Sequence, residues 1–311
     1  VPCAEQARFL KTGGEAIAAA IKIARAAAGK DHIIQIGYNG WVNSLAVGGA
    51  VLPRQKAVTL PGVPSSLSQL HHAAGWNDME RLEQLFTALD GQIAAVVVAA
   101  SYAKMEEGKT FYPALRALTQ KHGALLIYDE IVTGFRIAIG GVQEYFGVVP
   151  DLAVFSKGIA NGMPLSVYAG KKEFMSYCGP GKASISTTFG GETLSLAAAI
   201  ACMEIYEQQD VSGFLWRQGE KMWSGLKRLF QSYEIPLDIQ GFWPCPEFVP
   251  TNNEPAALSQ FMRLAYKHGV SLYHVSYVNF SHRDEDIADA LQRLERACAE
   301  FKHCENENER A

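Results

Sequence analysis

Apolar positions in the first half of the chain follow two alternating rhythms. Short runs at residues 32–36, 93–100, 124–128 and 152–155 are apolar almost throughout, as in strands buried on both faces of a parallel sheet. Between them the apolar positions adopt helical spacing. Ile17, Ile21, Ala24 and Ala28 lead to a stop at Gly29, and Leu82, Leu85, Phe86 and Leu89 follow a cap candidate near Asp78. Residues 111–122 form another amphipathic stretch, with Gly123 as its C-terminal cap. Strand, helix and strand alternate from Phe9 to Phe155. This predicts an α/β fold, a mainly parallel sheet with helices on both faces.

The texture changes after a helix at 194–207. A helix carrying Phe214, Met222, Leu226 and Leu229 leads to short strands at 235–240 and 247–250. A helix at 255–268, strands near 270–273 and 278–280, and a last helix with Ile287, Leu291, Leu294, Cys298 and Phe301 complete the pattern. The expected organisation is a large domain at 1–210 and a smaller C-terminal α+β domain at 211–311. The stretch from 44 to about 69, rich in Gly, Pro and Ser, reads as irregular.

Composition narrows the function classes. With 311 residues, 48% of them hydrophobic and 19% charged, the chain suits a large globular core. A net charge of −4 leaves no basic footprint for nucleic acid or an anionic membrane. No apolar run reaches membrane-span length, and the opening Val-Pro-Cys-Ala-Glu-Gln does not read as a signal peptide. Six scattered cysteines without a CxxC spacing point to a reducing cytoplasm and no structural metal.

Four stretches carry candidate chemistry. The strand at 152–155 runs into Ser156-Lys157-Gly158, and desolvation there would lower the amine's pKa and make it a nucleophile. A loop lysine reaching solvent is the alternative. The strand at 124–128 ends in Asp129-Glu130, where an acid beyond the carboxyl end of a strand can hold a ligand nitrogen or a metal. For Glu130 a helix cap or an ion pair with Arg136 is the preferred reading. Thr12-Gly13-Gly14 opens a helix and offers backbone N–H groups to an anion, although Thr12 also reads as an ordinary cap. A second glycine-rich, hydroxyl-bearing loop, Thr187-Thr188-Phe189-Gly190-Gly191, opens the helix at 194. The glycine-flanked aromatics of Gly37-Tyr38-Asn39-Gly40-Trp41 suit either stacking on a planar ring or plugging the core.

Together, Thr-Gly-Gly-Glu-Ala, Gly-Tyr-Asn-Gly-Trp, Asp-Glu-Ile-Val-Thr-Gly-Phe-Arg, Phe-Ser-Lys-Gly-Ile-Ala-Asn-Gly and Thr-Phe-Gly-Gly resemble the class III pyridoxal-phosphate aminotransferases, in that family's order. The nearest branch looks like the glutamate-1-semialdehyde aminomutase group. The resemblance covers residues 9 to about 297 and implies a fold-type I pyridoxal-phosphate-dependent transferase. It implies that Lys157 forms the Schiff base with pyridoxal 5'-phosphate and shuttles a proton. Asp129 would pair with the pyridine nitrogen, Tyr38 would stack on the ring with Asn39 beside it, and Ile131 would pack on the opposite face. Gly13 and Gly14 would cradle the phosphate, with Thr12 as an extra donor. Thr188, or Thr187 if the register differs by one, resembles the threonine that reaches a neighbouring subunit's phosphate, which implies a homodimer.

The chain departs from the family at four places. It opens close to the phosphate loop where a longer N-terminal segment is usual. Ala99-Ala100 replaces Glu-Pro, and Tyr38-Asn-Gly-Trp-Val-Asn43 lacks two usual histidines. Gly190-Gly191-Glu192-Thr193 replaces Gly-Gly-Asn-Pro, a variant that also resembles aminomutase-like proteins of sugar pathways. The expected activity is amino transfer between an amine donor and a carbonyl substrate. Intramolecular transfer, as in an aminomutase, and a weakly active cofactor-binding remnant are the alternatives.

Overall fold

The computed structural model describes residues 1–42, 61–252 and 255–308, with 305–308 as backbone only. Most of the irregular stretch expected at 44–69, and Asn43 just before it, lie outside them. The chain divides into two compact units, one of residues 1–101 and 107–208, the other of 102–106 and 209–311.

In the first unit the elements run β1 (Gln6–Leu10), α1 (Gly13–Ala28), β2 (His32–Ile36), α2 (Ser65–Ser68), β3 (His71–Ala74), α3 (Met79–Ala88), β4 (Ile93–Ala99), α4 (Gly108–Lys121) and β5 (Leu125–Asp129). They continue with α5 (Val142–Tyr145), β6 (Leu152–Phe155), β7 (Ser166–Gly170), α6 (Lys172–Met175) and α7 (Thr193–Gln208). The strands form one seven-stranded sheet in the order β1-β7-β6-β5-β4-β2-β3. Neighbours from β6 to β3 are parallel, and β7 runs antiparallel to both β6 and β1. The sheet is therefore mainly parallel, as expected, and β3 and β7 are additions to the strands read from sequence.

Alternation within each strand distributes side chains to two helical layers. On one face Leu10, Ile33, Val97, Ile127 and Val154 pack against Ile17, Ile21 and Ala24 of α1. Full burial of each α1 isoleucine contributes roughly 2 to 3 kcal/mol. On the other face Tyr128 meets Tyr112 of α4, with ring centroids 5.0 Å apart. The strands are buried along both faces, which is why they read as unbroken apolar runs.

The second unit contains α8 (Val211–Ser232), the antiparallel pair β8 (Leu237–Gln240) and β9 (Glu247–Pro250), α9 (Pro255–Lys267) and α10 (Asp284–Asn308). Its core is aromatic, with Phe230 edge-on to Phe261 at 4.8 Å. Residues 102–106 join it through the Ala103 N–H, which donates to Glu247 Oε2 at 3.1 Å. The strands expected near 270–273 and 278–280 do not form. There the Ser276 hydroxyl closes a turn, accepting from Tyr273 N at 3.0 Å and donating to Tyr273 O at 2.8 Å. The chain folds back on itself, and Val275 and Val278 are buried from a loop. Among the described residues no helix is long and apolar enough to cross a membrane.

Candidate active site

The carboxyl ends of β5 and β6 lie side by side, since Asp129 is in register with Val154 and Lys157 follows three residues later. Asp129 closes a strand whose five residues are all buried. Its Oδ1 accepts the Ile131 N–H at 3.1 Å, and its Oδ2 accepts the Asn39 amide at 3.4 Å. Burial pushes this carboxyl up to about 6, while the two hydrogen bonds and the charge of Lys157 hold it down.

Lys157 opens a single 3₁₀ turn, Lys157–Ile159, in the connection between the antiparallel strands β6 and β7. The Ser156 hydroxyl ties that connection by donating to Leu165 O at 2.8 Å. The Lys157 backbone is left-handed, with φ +44°, which costs a non-glycine residue on the order of 1 kcal/mol. Its residue as a whole is exposed, as for a loop lysine reaching solvent. Partial desolvation still lowers the pKa of the amine; attraction to Asp129 opposes that shift and the nearby Arg136 charge adds to it.

The corner between β1 and α1 meets this strand edge. A Cβ on Gly13 would sit 2.5 Å from Ile131 Cδ1, and one on Gly14 would sit 2.9 Å from Val42 Cγ2. Glycine at both positions lets the first turn of α1 lie directly against the segment that follows Asp129. Thr12 is the N-cap, in a full capping box: its N–H donates to Glu15 Oε2 at 2.8 Å and its hydroxyl accepts from Glu15 N at 3.4 Å. The Thr12 hydroxyl is engaged with Glu15, and the cap reading of this residue holds. The amides of Gly13 and Gly14 have no acceptor among the described residues, so the N-terminal end of a sixteen-residue helix faces the strand edge.

Asn39 is buried, with its amide nitrogen on Asp129 and its Oδ1 without a partner among the described residues. Tyr38 and Trp41 on either side of it are exposed, so neither ring plugs the core. Glu130 points away from the site. It is fully buried and accepts from Thr133 Oγ1, Val142 N (2.9 Å) and Gln143 N (3.2 Å), capping α5 as preferred from sequence. Burial pushes it up to about 7. Thr188 is exposed and Thr187 half-buried, on a loop held to β1. Thr12, Gly13, Gly14, Asn39, Asp129, Ile131 and Lys157 thus share one edge of the sheet, and Thr188 faces outward. A cavity of about 780 Å³ lined by Trp223, Tyr273 and Arg293 belongs to the second unit and contains none of these residues.

Two contacts went unread in the sequence: the Asn39–Asp129 hydrogen bond, and the ion pair of Lys11 with Glu192 at 2.9 Å. Each joins residues far apart in the chain. The only signals in sequence were a lysine before the Thr-Gly-Gly turn and a glutamate at the start of α7.

A buried carboxylate beside an amine, at a strand edge covered by a helix N-terminus, is a donor set for a phosphorylated pyridine aldehyde. The family model for class III aminotransferases matches residues 1–298. The chain belongs to that family. Class III aminotransferases are pyridoxal-phosphate enzymes, and this one is an amino-group-transferring enzyme with that cofactor. Over 317 aligned residues the chain is 32% identical to a glutamate-1-semialdehyde 2,1-aminomutase of Persephonella marina, covering 95% of this chain and 74% of the relative. It is 30% identical to a 3-aminobutyryl-CoA aminotransferase of Cloacimonas acidaminovorans, over 97% of this chain and 73% of the relative. Among solved structures, an omega-transaminase from Sphaerobacter thermophilus superposes with a TM-score of 0.85 at 21% identity, over 97% of this chain and 76% of that one. That likeness confirms the fold.

The residues present fit the cofactor. Asp129 would supply the anion a protonated ring nitrogen requires, and the orphaned Asn39 Oδ1 lies next to it. The unpartnered amides of Gly13 and Gly14 suit a phosphate.

Proposed function

We propose that the chain transfers an amino group between an amine donor and a carbonyl substrate, with Lys157 as the working amine and Asp129 as the charge that tunes the cofactor ring. The adjacency of these two residues at the ends of neighbouring parallel strands carries the reading. When bound, pyridoxal phosphate supplies an electrophilic aldehyde and an electron-withdrawing ring.

The chain's own groups have separate tasks. Asp129, negative and buried, binds a ring nitrogen and keeps it protonated. The Gly13 and Gly14 amides bind the phosphate at the positive end of α1. Ile131, pressed on Gly13, presents an apolar surface to one face of the ring, and the exposed Tyr38 side chain suits the other. Lys157 has a lowered pKa, so a neutral amine is more accessible to it than to a free lysine, and it can take up and return the proton of the reacting carbon. The lysine's exposure leaves it accessible to substrate.

The outward-facing Thr188 supports a homodimer in which this residue completes the neighbouring copy's phosphate site. The helix that follows supports it too. Only Ser195 and Ala199 of α7 are buried, while Leu194, Ile200, Met203 and Ile205 are exposed around its circumference. A helix apolar all round is normally covered, and a second copy brings a matching surface by symmetry. The six cysteines are unbridged, in keeping with a cytoplasmic setting.

Lys157→Ala tests the central assignment. It should abolish the visible absorbance of the protein incubated with pyridoxal phosphate and lower turnover by at least about 10³-fold. A variant that keeps both would refute Lys157 as the working amine.

The similarity to a glutamate-1-semialdehyde aminomutase favours one second reading, transfer within a single carbon skeleton. Turnover of an amino-aldehyde with no keto-acid acceptor present would establish it. Ping-pong kinetics with two substrates would establish intermolecular transfer. Failure to convert bound pyridoxal phosphate with any of a broad panel of amines would leave only a binding role.

A further inference from the structure

The loop that carries Thr188 is fastened at one end to the middle of α1 and at the other to the β1–α1 corner. At its near end Lys22 Nζ donates to Ser184 O at 2.7 Å. At its far end Lys11, between β1 and Thr12, donates to Glu192 Oε2 at 2.9 Å and to Ser195 Oγ at 3.3 Å. A Cβ on Gly190 would lie 2.7 Å from Phe9 O, so glycine alone lets the loop rest on the end of β1. Thr188 and Phe189 remain exposed between the fastenings.

The far fastening has two functions. Glu192 caps α7, accepting from Leu194 N at 2.5 Å, Ser195 N at 3.2 Å and Ser195 Oγ at 2.7 Å. With the same carboxylate it neutralises Lys11. An asparagine there could serve the cap but has no charge to neutralise Lys11. The Lys11 and Glu192 side chains are 15% and 32% exposed, so their attraction is less screened than at an open surface. Lys11 is also fixed from its backbone, since its N–H donates to Glu15 Oε2 at 3.3 Å. The residue before the Thr12–Gly14 turn is therefore held by two carboxylates, one from its own capping box and one from the Thr188 loop.

We propose that Lys11 and Glu192 are a positioning pair that sets the Thr12–Gly14 turn and the Thr188 loop in one fixed relation, so that phosphate affinity depends on an ion pair that does not itself touch phosphate. This rests on Thr12–Gly14 being the phosphate seat. With the Lys11 charge paired to Glu192, the glycine amides and the end of α1 take the phosphate. In a dimer where Thr188 serves the neighbouring copy, the same pair links the seat of one site to the loop completing the next.

The test is binding of pyridoxal phosphate to Lys11→Met, Glu192→Asn and the double variant. Affinity is followed by quenching of intrinsic fluorescence, and competition by inorganic phosphate serves as a second readout. Each single variant should weaken both ligands roughly tenfold, and the double variant no more than either single one, as for two residues acting through one contact. Loss of thermal stability in the cofactor-free protein with unchanged affinity would overturn the proposal, because the pair would then only brace the fold. Weakening by Lys11→Met but not by Glu192→Asn would overturn it too, making Lys11 a direct phosphate ligand. Both outcomes leave the phosphate seat standing. An unaltered protein that binds neither ligand, or binds them as well after Gly13→Val, removes the seat itself and the proposal with it.

Discussion

Asp129 and Asp151 are both buried aspartates beside central strands, and their surroundings give them opposite roles. Asp151, just ahead of β6, accepts from Arg116 at 2.8 Å, from Lys171 at 2.6 Å and from the Leu126 N–H at 2.8 Å. Asp151→Ala would leave Arg116 and Lys171 without their anion at the start of β6, and should cost about 3 kcal/mol or more, read as a large drop in melting temperature. Asp129 has only an amide and one backbone N–H, and its charge is held at a loss in the cofactor-free protein. A carboxyl raised to about 6 from an ordinary value near 3.8 favours folding in its protonated form. That contribution is complete below the unfolded value and disappears as pH rises through about 6. Asp129→Asn should therefore stabilise the cofactor-free protein at pH 8 by on the order of 3 kcal/mol, read as a raised melting temperature, and leave it unchanged near pH 3. The same substitution should weaken pyridoxal phosphate binding and slow turnover. A cofactor-free protein less stable at pH 8 after the change would show that Asp129 is structural, like Asp151.

Among elements, the β1–α1 corner shows how much of the site was legible in the sequence. Thr12, Gly13, Gly14, Asp129 and Lys157 were readable because each sits at a boundary, where an apolar run or a helical period breaks into residues that neither periodicity requires. Strands β2, β4, β5 and β6 were legible for a related reason, as central strands are apolar on both faces. The edge strand β3 reads His-His-Ala-Ala and has no such signature; His71 is satisfied by Gln35 at 3.1 Å, a pairing visible only once the sheet exists. Strand β7 escaped because it follows so closely the glycine and proline of the lysine turn. The strands expected at 270–273 and 278–280 had the right composition, but a serine turn engages the Tyr273 backbone locally. What the corner requires of Gly13 was also hidden, because it is set by Ile131, more than a hundred residues away in the chain. Gly13→Ala should weaken cofactor binding by about tenfold or more, since its Cβ must displace Ile131. Adding Ile131→Val should recover part of that loss, as removal of the Cδ1 carbon opens the space. Equal weakening with and without the second change would mean that the methyl group acts on the phosphate rather than on Ile131.

At the scale of the whole molecule, the proposed homodimer rests on the exposed apolar residues of α7. Leu194 is 64% and Ile200 58% exposed, on a helix that begins directly after the Thr188 loop. Covering such side chains gains roughly 25 cal/mol for each Å² removed from water, so a few of them on each side of a two-fold axis can hold a dimer. A charge placed among them would have to be buried without a partner, a cost that association cannot easily meet. Ile200→Glu should therefore shift the protein toward monomer in sedimentation at micromolar concentration, while circular dichroism remains that of the folded chain. If Thr188 completes a neighbour's phosphate site, this monomer should also bind pyridoxal phosphate more weakly, and Thr188→Ala should weaken binding in a protein that remains dimeric. Mixing Thr188→Ala with Lys157→Ala separates the two arrangements. When Thr188 serves the neighbouring copy, each mixed dimer has one site with both residues altered and one with both intact, and the intact site should bind with the affinity of the unaltered protein. When Thr188 serves its own chain, each site of the mixed dimer lacks one of the two residues, and no site should recover that affinity.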